Sequence, residues 1–141
     1  MTQRRLLVVD FDPSTSRTFC RVLRKKGFQV DLASDGQQAI KKIKSAQYEG
    51  VLVSFSLPDM DGIDLLLFTK QSLPNAAQII MSGYPSLGNS IRALEAGADA
   101  LFAKPVYPDD LIKVIEEKLE NAQKVMHSSR QNKEKNGFIS N

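Results

Sequence analysis

The chain has 141 residues, 42% of them hydrophobic and 25% charged, which suits one globular domain with a proper core. It carries 19 Lys/Arg against 16 Asp/Glu, but residues 1–120 balance to zero, and the whole +3 excess comes from Lys124, Arg130, Lys133 and Lys135 against Glu134. On that count the folded part has no basic stripe to mark a nucleic-acid surface, the single Cys20 excludes an internal disulfide or a cysteine metal cluster, and the apolar run Leu6 to Val9 is too short for a signal peptide or membrane span. A cytoplasmic domain in contact with neither nucleic acid nor membrane is expected.

Short apolar runs alternate with amphipathic stretches. Leu6 to Val9 reads as a buried strand. Asp12-Pro13-Ser14 offers a helix start with proline at an early position, Phe19, Val22 and Leu23 give that helix an apolar face, and Gly27 ends it. Cys20 lies inside this pattern and reads as a small buried hydrophobe. Phe28 to Leu32 alternates as a second strand. Ser34 and Asp35 are N-cap candidates for a helix bearing Ala39, Ile40 and Ile43. Val51 to Phe55 is a third strand, and Pro58 to Gly62 is a turn cluster. A helix with Ile63, Leu66 and Leu67 on its apolar side ends before Pro74. Ile79 to Met81 is a fourth strand, Ser86 to Ala96 a helix stopped by Gly97, Ala100 to Ala103 a fifth strand, and Pro108 opens the last helix.

Five strands alternating with five helices imply a parallel sheet covered on both faces, a doubly wound three-layer sandwich. In such sheets the working site lies at the carboxyl ends of the strands. The candidates are therefore Asp10 to Asp12, Ser54 to Ser56, Ser82 to Gly83 and Lys104 to Pro105. Ile112, Ile115, Leu119, Ala122 and Met126 continue the last helix at spacings of three and four. Barely two heptads are present, so an ordinary amphipathic helix is preferred to a coiled-coil seam. Residues 1–126 read as one domain, and 127–141, including the only histidine, His127, as a polar disordered tail. One histidine at a helix end excludes histidine triads or zinc sites within the fold. Asp59, Asp61 and Asp64 read as a turn with acids in the first turn of the third helix. Gly83 and Gly88 match no phosphate-loop spacing.

Several motifs recur beside these strands: Leu7-Val8-Val9-Asp10, Pro58-Asp59-Met60-Asp61-Gly62, Met81-Ser82-Gly83-Tyr84, Ala96-Gly97-Ala98-Asp99 and Lys104-Pro105. In this order they resemble the receiver domain of two-component response regulators, over about residues 4 to 120. The resemblance implies a flavodoxin-like fold with strand order 2-1-3-4-5. It also implies an aspartate phosphoacceptor after the third strand, acids after the first strand that hold Mg²⁺, a switch hydroxyl, a switch aromatic, a lysine, and a cis Lys104–Pro105 bond.

This chain departs from that pattern. Asp10 matches the first acid, but Phe11 stands at the second, and Asp12 follows one residue late. Counting back from Pro58 puts Ser54 at the phosphoacceptor position. Ser82 matches the switch hydroxyl, Leu101 replaces the switch aromatic, and Lys104 matches the lysine. A serine hydroxyl is a poor nucleophile near neutral pH without a base. Without carboxylates at positions 11 and 54, Mg²⁺ binding should be weak or absent, with Asp10 and Asp12 the only weak candidates. Asp10 is then free to pair with Lys104, Ser54 to bond Lys104 or backbone, and Asp12 to act as a helix N-cap.

The expectation is a pseudo-receiver: a non-enzymatic interaction module in a phosphorelay. Its partner would be a sensor kinase, a downstream effector, or a second copy. The resemblance implies contact through the fourth helix, fifth strand and fifth helix, with Leu87, Ile91, Leu101, Val106 and Tyr107 as contact candidates. The alternative is phosphorylation at an unusual acceptor, Ser54, Asp10, Asp12 or Asp59. A flavodoxin-like enzyme or nucleotide binder is a third class, opposed by the lack of a base–nucleophile pair or glycine-rich fingerprint.

Overall fold

The computed structural model describes residues 4–121; Ala122, Met126, His127 and the polar tail lie outside them. The elements alternate as β1 (Arg5–Val9), α1 (Pro13–Lys25), β2 (Gln29–Ala33), α2 (Gly36–Ser45), β3 (Gly50–Ser54), α3 (Gly62–Ser72), β4 (Ala77–Ser82), α4 (Leu87–Glu95) and β5 (Ala100–Ala103). A fifth helix, α5, covers 108–121. All strand pairs are parallel, in the order β2-β1-β3-β4-β5. Their carboxyl ends are aligned: Val9 pairs with Ala33 and Val53, Ser54 with Met81, and Ser82 with Ala103. The order reverses between β1 and β3, so Asp10 and Ser54 flank the switch point.

The pleat sends alternate residues to opposite faces. Leu7, Val9, Val51, Val53 and Ile80 face one cluster, with Ala39 and Ile43 of α2, Ile63, Leu65 and Leu66 of α3, and Ala93 of α4. Leu6, Val8, Leu52, Ile79 and Met81 face the other, with Cys20 and Leu23 of α1 and Leu111 and Ile115 of α5. Burial pushes the Cys20 thiol up to about 11, with Arg24 opposing, so it sits in the core as a neutral hydrophobe. Helix ends follow from local chemistry. Asp35 caps α2 by accepting the Gln38 N–H at 2.8 Å, and Gln38 reaches back to the Ser34 N–H at 3.0 Å. Gly97 closes α4 at φ +95°, a conformation glycine adopts without steric cost, and its carbonyl accepts the Lys70 ammonium at 2.9 Å.

Two expectations are corrected. In the run Leu65-Leu66-Leu67, the residue turned outward is Leu67, 46% exposed, while Leu65 is fully buried. Three consecutive leucines leave the helical phase open, and seating on the sheet fixes it. Charge balance over residues 1–120 also concealed a basic stripe. Helix α1 carries Arg17, Arg21, Arg24 and Lys25 and no acid, because a zero sum says nothing of placement.

These assignments predict that Leu52→Ala costs about 2–5 kcal/mol, the range for a fully buried leucine. Leu67→Ala should cost less than about 1 kcal/mol. Urea unfolding of both variants checks this; equal costs would contradict the seating of α3.

Candidate functional site

Three strand ends meet in one ion-paired pocket. Asp10, the first residue after β1, is only 7% exposed, and Ser54, the last of β3, is 5% exposed. Lys104, just past β5, donates its ammonium to Asp10 Oδ2 at 2.8 Å and to Ser54 Oγ at 3.2 Å. The backbone sets this up. The Asp10 N–H donates to the Ala33 carbonyl at 3.0 Å, the Phe55 N–H to Met81 at 2.7 Å and the Lys104 N–H to Ser82 at 2.8 Å, so each chain leaves the sheet tied to its neighbour. The Lys104–Pro105 bond is cis.

The other sequence candidates lie around this pair in different roles. Asp10 Oδ1 accepts the Asp12 N–H at 3.2 Å, and the Asp12 carbonyl accepts the Ser16 N–H at 3.2 Å, which places Asp12 at the mouth of α1. Phe11 is 64% exposed, outside the pocket. Ser82 is buried and its hydroxyl oxygen accepts the Tyr84 N–H at 3.2 Å. Leu101 packs at the edge of the α2–α3–α4 cluster. Asp59 turns toward α2 and accepts the Gly36 and Gln37 N–H groups at 2.8 and 3.0 Å. The Gly36 bond foremost, with Gln37, holds its carboxyl below the usual range.

The β3–α3 loop is pinned close to Ser54. Gly62 donates to the Phe55 carbonyl at 2.9 Å, and Ser56 bridges to Asp61. A Cβ on Gly62 would stand 2.4 Å from the Ser54 carbonyl oxygen, so glycine alone fits there. Asp61 caps α3 through the Ile63 N–H at 2.8 Å and pairs with Arg92 of α4 at 3.0 Å. The same guanidinium lies 5.5 Å from the Phe55 ring centroid. No sequence pattern pointed to Arg92, since it lies 31 positions from Asp61.

Of the five contact candidates, Leu87, Ile91 and Tyr107 are exposed, while Leu101 and Val106 are partly buried at the margins of opposite clusters. Leu94 and Tyr84 are exposed too and were not anticipated. Beside the pocket, on the α1 face, lies an apolar cavity of about 330 Å³. Thr18, Phe19 and Val22 of α1 form one wall and Pro105, Val106 and Pro108 another, with Asp10 and Lys104 also lining it.

The comparisons agree with this architecture. Residues 6–116 match the family model of the response regulator receiver domain. The chain is 30% identical over 108 residues to the cell cycle transcriptional regulator CtrA of Caulobacter vibrioides, covering 77% of this chain and 47% of that protein. It is 34% identical over 114 residues to the transcriptional regulatory protein ZraR of Klebsiella oxytoca, covering 81% of this chain and 26% of that protein. The chain thus spans less than half the length of these relatives. Among solved structures, a CheY-like response regulator receiver domain protein from Methanospirillum hungatei superposes with a TM-score of 0.81 at 36% identity, covering 87% of this chain and 98% of that one. With the β2-β1-β3-β4-β5 sheet and the residues gathered at its carboxyl edge, these matches establish that the chain belongs to the receiver domains of two-component response regulators.

Proposed function

We propose that this receiver is an atypical one that works as a protein-interaction module without phosphorylation at the usual position. The observation that carries the reading is Ser54 at the acceptor position, receiving a hydrogen bond from the Lys104 ammonium at 3.2 Å. A serine nucleophile needs a base to take its proton. Here its oxygen faces a cation, and the buried carboxylate of the pocket is held by that same cation at 2.8 Å. Of the alternative acceptors, Asp10 and Asp59 gain no support from their surroundings: Asp10 is buried in that pair and Asp59 is engaged at the N-terminus of α2.

The donor set does not suit Mg²⁺. The family places acids where this chain has Phe11, pointed outward, and Ser54, a weak neutral oxygen. Among the described residues, no three acids, histidines or cysteines form a group able to hold a metal. A small cation that sheds its waters reluctantly needs more negative oxygen than Asp10 and Asp12 offer. Lys104 supplies the positive charge instead.

Contact with other proteins is supported by the apolar residues left outside the core. Leu87 is 78% exposed, and Ile91, Leu94 and Tyr107 are also exposed. They belong to α4 and the loop before α5, and they suit a sensor kinase, an effector, or a second copy. No helix of the described residues is long and apolar enough to cross a membrane.

Incubation with acetyl phosphate and Mg²⁺ should leave the intact mass unchanged. A stoichiometric adduct would overturn the reading. Amide NMR spectra with beryllofluoride and Mg²⁺ should likewise show no widespread shifts across α4, Leu101 and α5, because nothing distinguishes two states for the ligand to select.

Mg²⁺ alone should move the melting temperature by less than about 1 °C. The double variant Phe11→Asp with Ser54→Asp should gain a Mg²⁺-dependent rise of about 3 °C or more, since a ligand of the native state stabilises it. Calorimetry with and without the metal decides this, and a large rise in the unaltered protein would count against the proposal.

Removing the cation alone should hurt more than removing the pair. Lys104→Met strands a buried carboxylate and should cost about 1–3 kcal/mol. Combined with Asp10→Leu, the total cost in urea unfolding should be smaller than that of Lys104→Met alone.

A further inference from the structure

Charge is sorted along the sheet. Helix α1 contributes Arg17, Arg21, Arg24 and Lys25, Lys26 follows it, and α2 contributes Lys41, Lys42 and Lys44. Neither helix contains an acid. The acids between residues 13 and 45 are Asp31 and Asp35, so this span carries a net +6, and the rest of residues 1–120 carries the opposing −6. Both acids are engaged, Asp31 with Arg5 at 2.9 Å and Asp35 with the Gln38 N–H at 2.8 Å. The topology gathers the cations at one place. Strand β2 is the outermost of the sheet on that side, α1 packs in the cluster on one face, and α2 packs in the cluster on the other. Arg24 reaches the strand from the α1 side, donating to the Val30 carbonyl at 2.7 Å, and Lys42 acts on the Asp31 carboxylate from the α2 side. Arg17, Arg21, Lys25, Lys41 and Lys44 are exposed and make no ion pair with a described carboxylate. Among the described residues, every large exposed apolar side chain lies outside residues 13–45.

We propose that the β2 edge, with α1 and α2 as two cationic rails, binds the phosphate backbone of double-stranded nucleic acid without reading its sequence. Two helices about 10–12 Å thick on either side of a sheet have axes roughly 20 Å apart. That span places cations on both phosphate strands bordering a groove about 12 Å wide. A duplex carries one charge per about 1.7 Å of its axis, dense enough to answer every cation on a rail. The missing apolar residues decide among polyanions. A protein partner needs an apolar or aromatic anchor at the centre of its contact, a membrane needs apolar side chains to insert beside the basic ones, and a single strand needs exposed aromatics for stacking. This edge offers none of them. The −6 on the remainder of the fold repels phosphate, so the duplex is steered to β2. The expectation of no nucleic-acid contact rested on a neutral sum, and placement reverses it. The edge is separate from the ion-paired pocket and from α4, and it stands whether or not Ser54 accepts phosphate.

The test titrates the full chain against a labelled DNA duplex of about 20 base pairs in fluorescence anisotropy at low salt. The duplex should bind with a Kd on the order of 10 µM, weaken steeply with salt, and bind equally when its sequence is scrambled. A single strand of the same length and a poly-glutamate peptide should bind more weakly, and vesicles containing phosphatidylserine should not retain the protein on sedimentation. Arg17→Gln with Arg21→Gln on α1, and Lys41→Gln with Lys44→Gln on α2, should each weaken duplex binding. All four together should weaken it about tenfold or more and lower the slope of log K against log salt by about 3 to 4. Lys113→Gln on α5, and Lys133→Gln with Lys135→Gln near the C-terminus, should leave that slope unchanged. Circular dichroism of each variant checks that it folds, which exposed glutamine substitutions allow. Duplex binding untouched by both helix pairs, binding lost with the C-terminal pair alone, or tighter binding of the single strand, the peptide or the vesicles would each overturn the proposal, as would no duplex binding at all.

Discussion

The Lys104 ammonium holds the carboxyl edge of the sheet together. It reaches Asp10, 94 positions away in sequence, at 2.8 Å, and Ser54 at 3.2 Å. A buried carboxylate is costly unless paired, so Asp10 at this depth requires a cation from another strand. That demand fixes where β5 must end relative to β1 and β3. Among the described residues, no buried side-chain nitrogen or oxygen is left without a partner.

The loops around the pocket are fastened outward in a chain of contacts. Asp59 ties the β3–α3 loop to the start of α2, and Asp61 ties it to Arg92 on α4. Lys70 of α3 joins the same end of α4, just past its last turn, at the Gly97 carbonyl. Helix α4 is thus held to α3 and its preceding loop at two points, while its apolar residues Leu87, Ile91 and Leu94 stay exposed. In the proposed reading this is a fixed platform: Ser82 is engaged with its own loop through the Tyr84 N–H, and Leu101 lacks the ring that would report movement. A ligand shifts a conformational equilibrium only by differential affinity.

Charge placement divides the surface as burial divides the core. The sum over residues 1–120 is neutral, yet α1 is wholly cationic and unpaired at Arg17, Arg21 and Lys25 among the described residues. Asp109 answers Lys26 at 2.8 Å, Glu49 and Glu116 answer Arg4 at 3.8 and 4.0 Å, and Asp31 answers Arg5 at 2.9 Å. At Asp31, burial raises the carboxyl, but the Tyr48 and Arg5 hydrogen bonds outweigh it and hold it below the usual range. These pairs are half-exposed, while Arg17, Arg21 and Lys25 on the outer face of α1 make no ion pair with a described carboxylate.

Sequence periodicity alone determined the element order, because apolar runs bounded by Gly27, Pro74 and Gly97 leave little freedom in where strands and helices break. The strand-end rule then placed Asp10, Ser54, Ser82 and Lys104 at one edge, and the spacing to Pro58 gave Ser54 as the residue expected at the acceptor position. Tertiary structure decided what periodicity leaves degenerate. It chose Leu65 over Leu67 for the core, since three adjacent leucines satisfy more than one helical phase. It turned Phe11 outward and Asp59 toward α2, and it brought Arg92 to Asp61 across 31 positions. These depend on the relative seating of separate elements, set by packing across the sheet rather than by any local pattern. The cavity beside α1 is likewise a space between α1 and the β5–α5 loop, and a space between elements has no residue of its own to announce it.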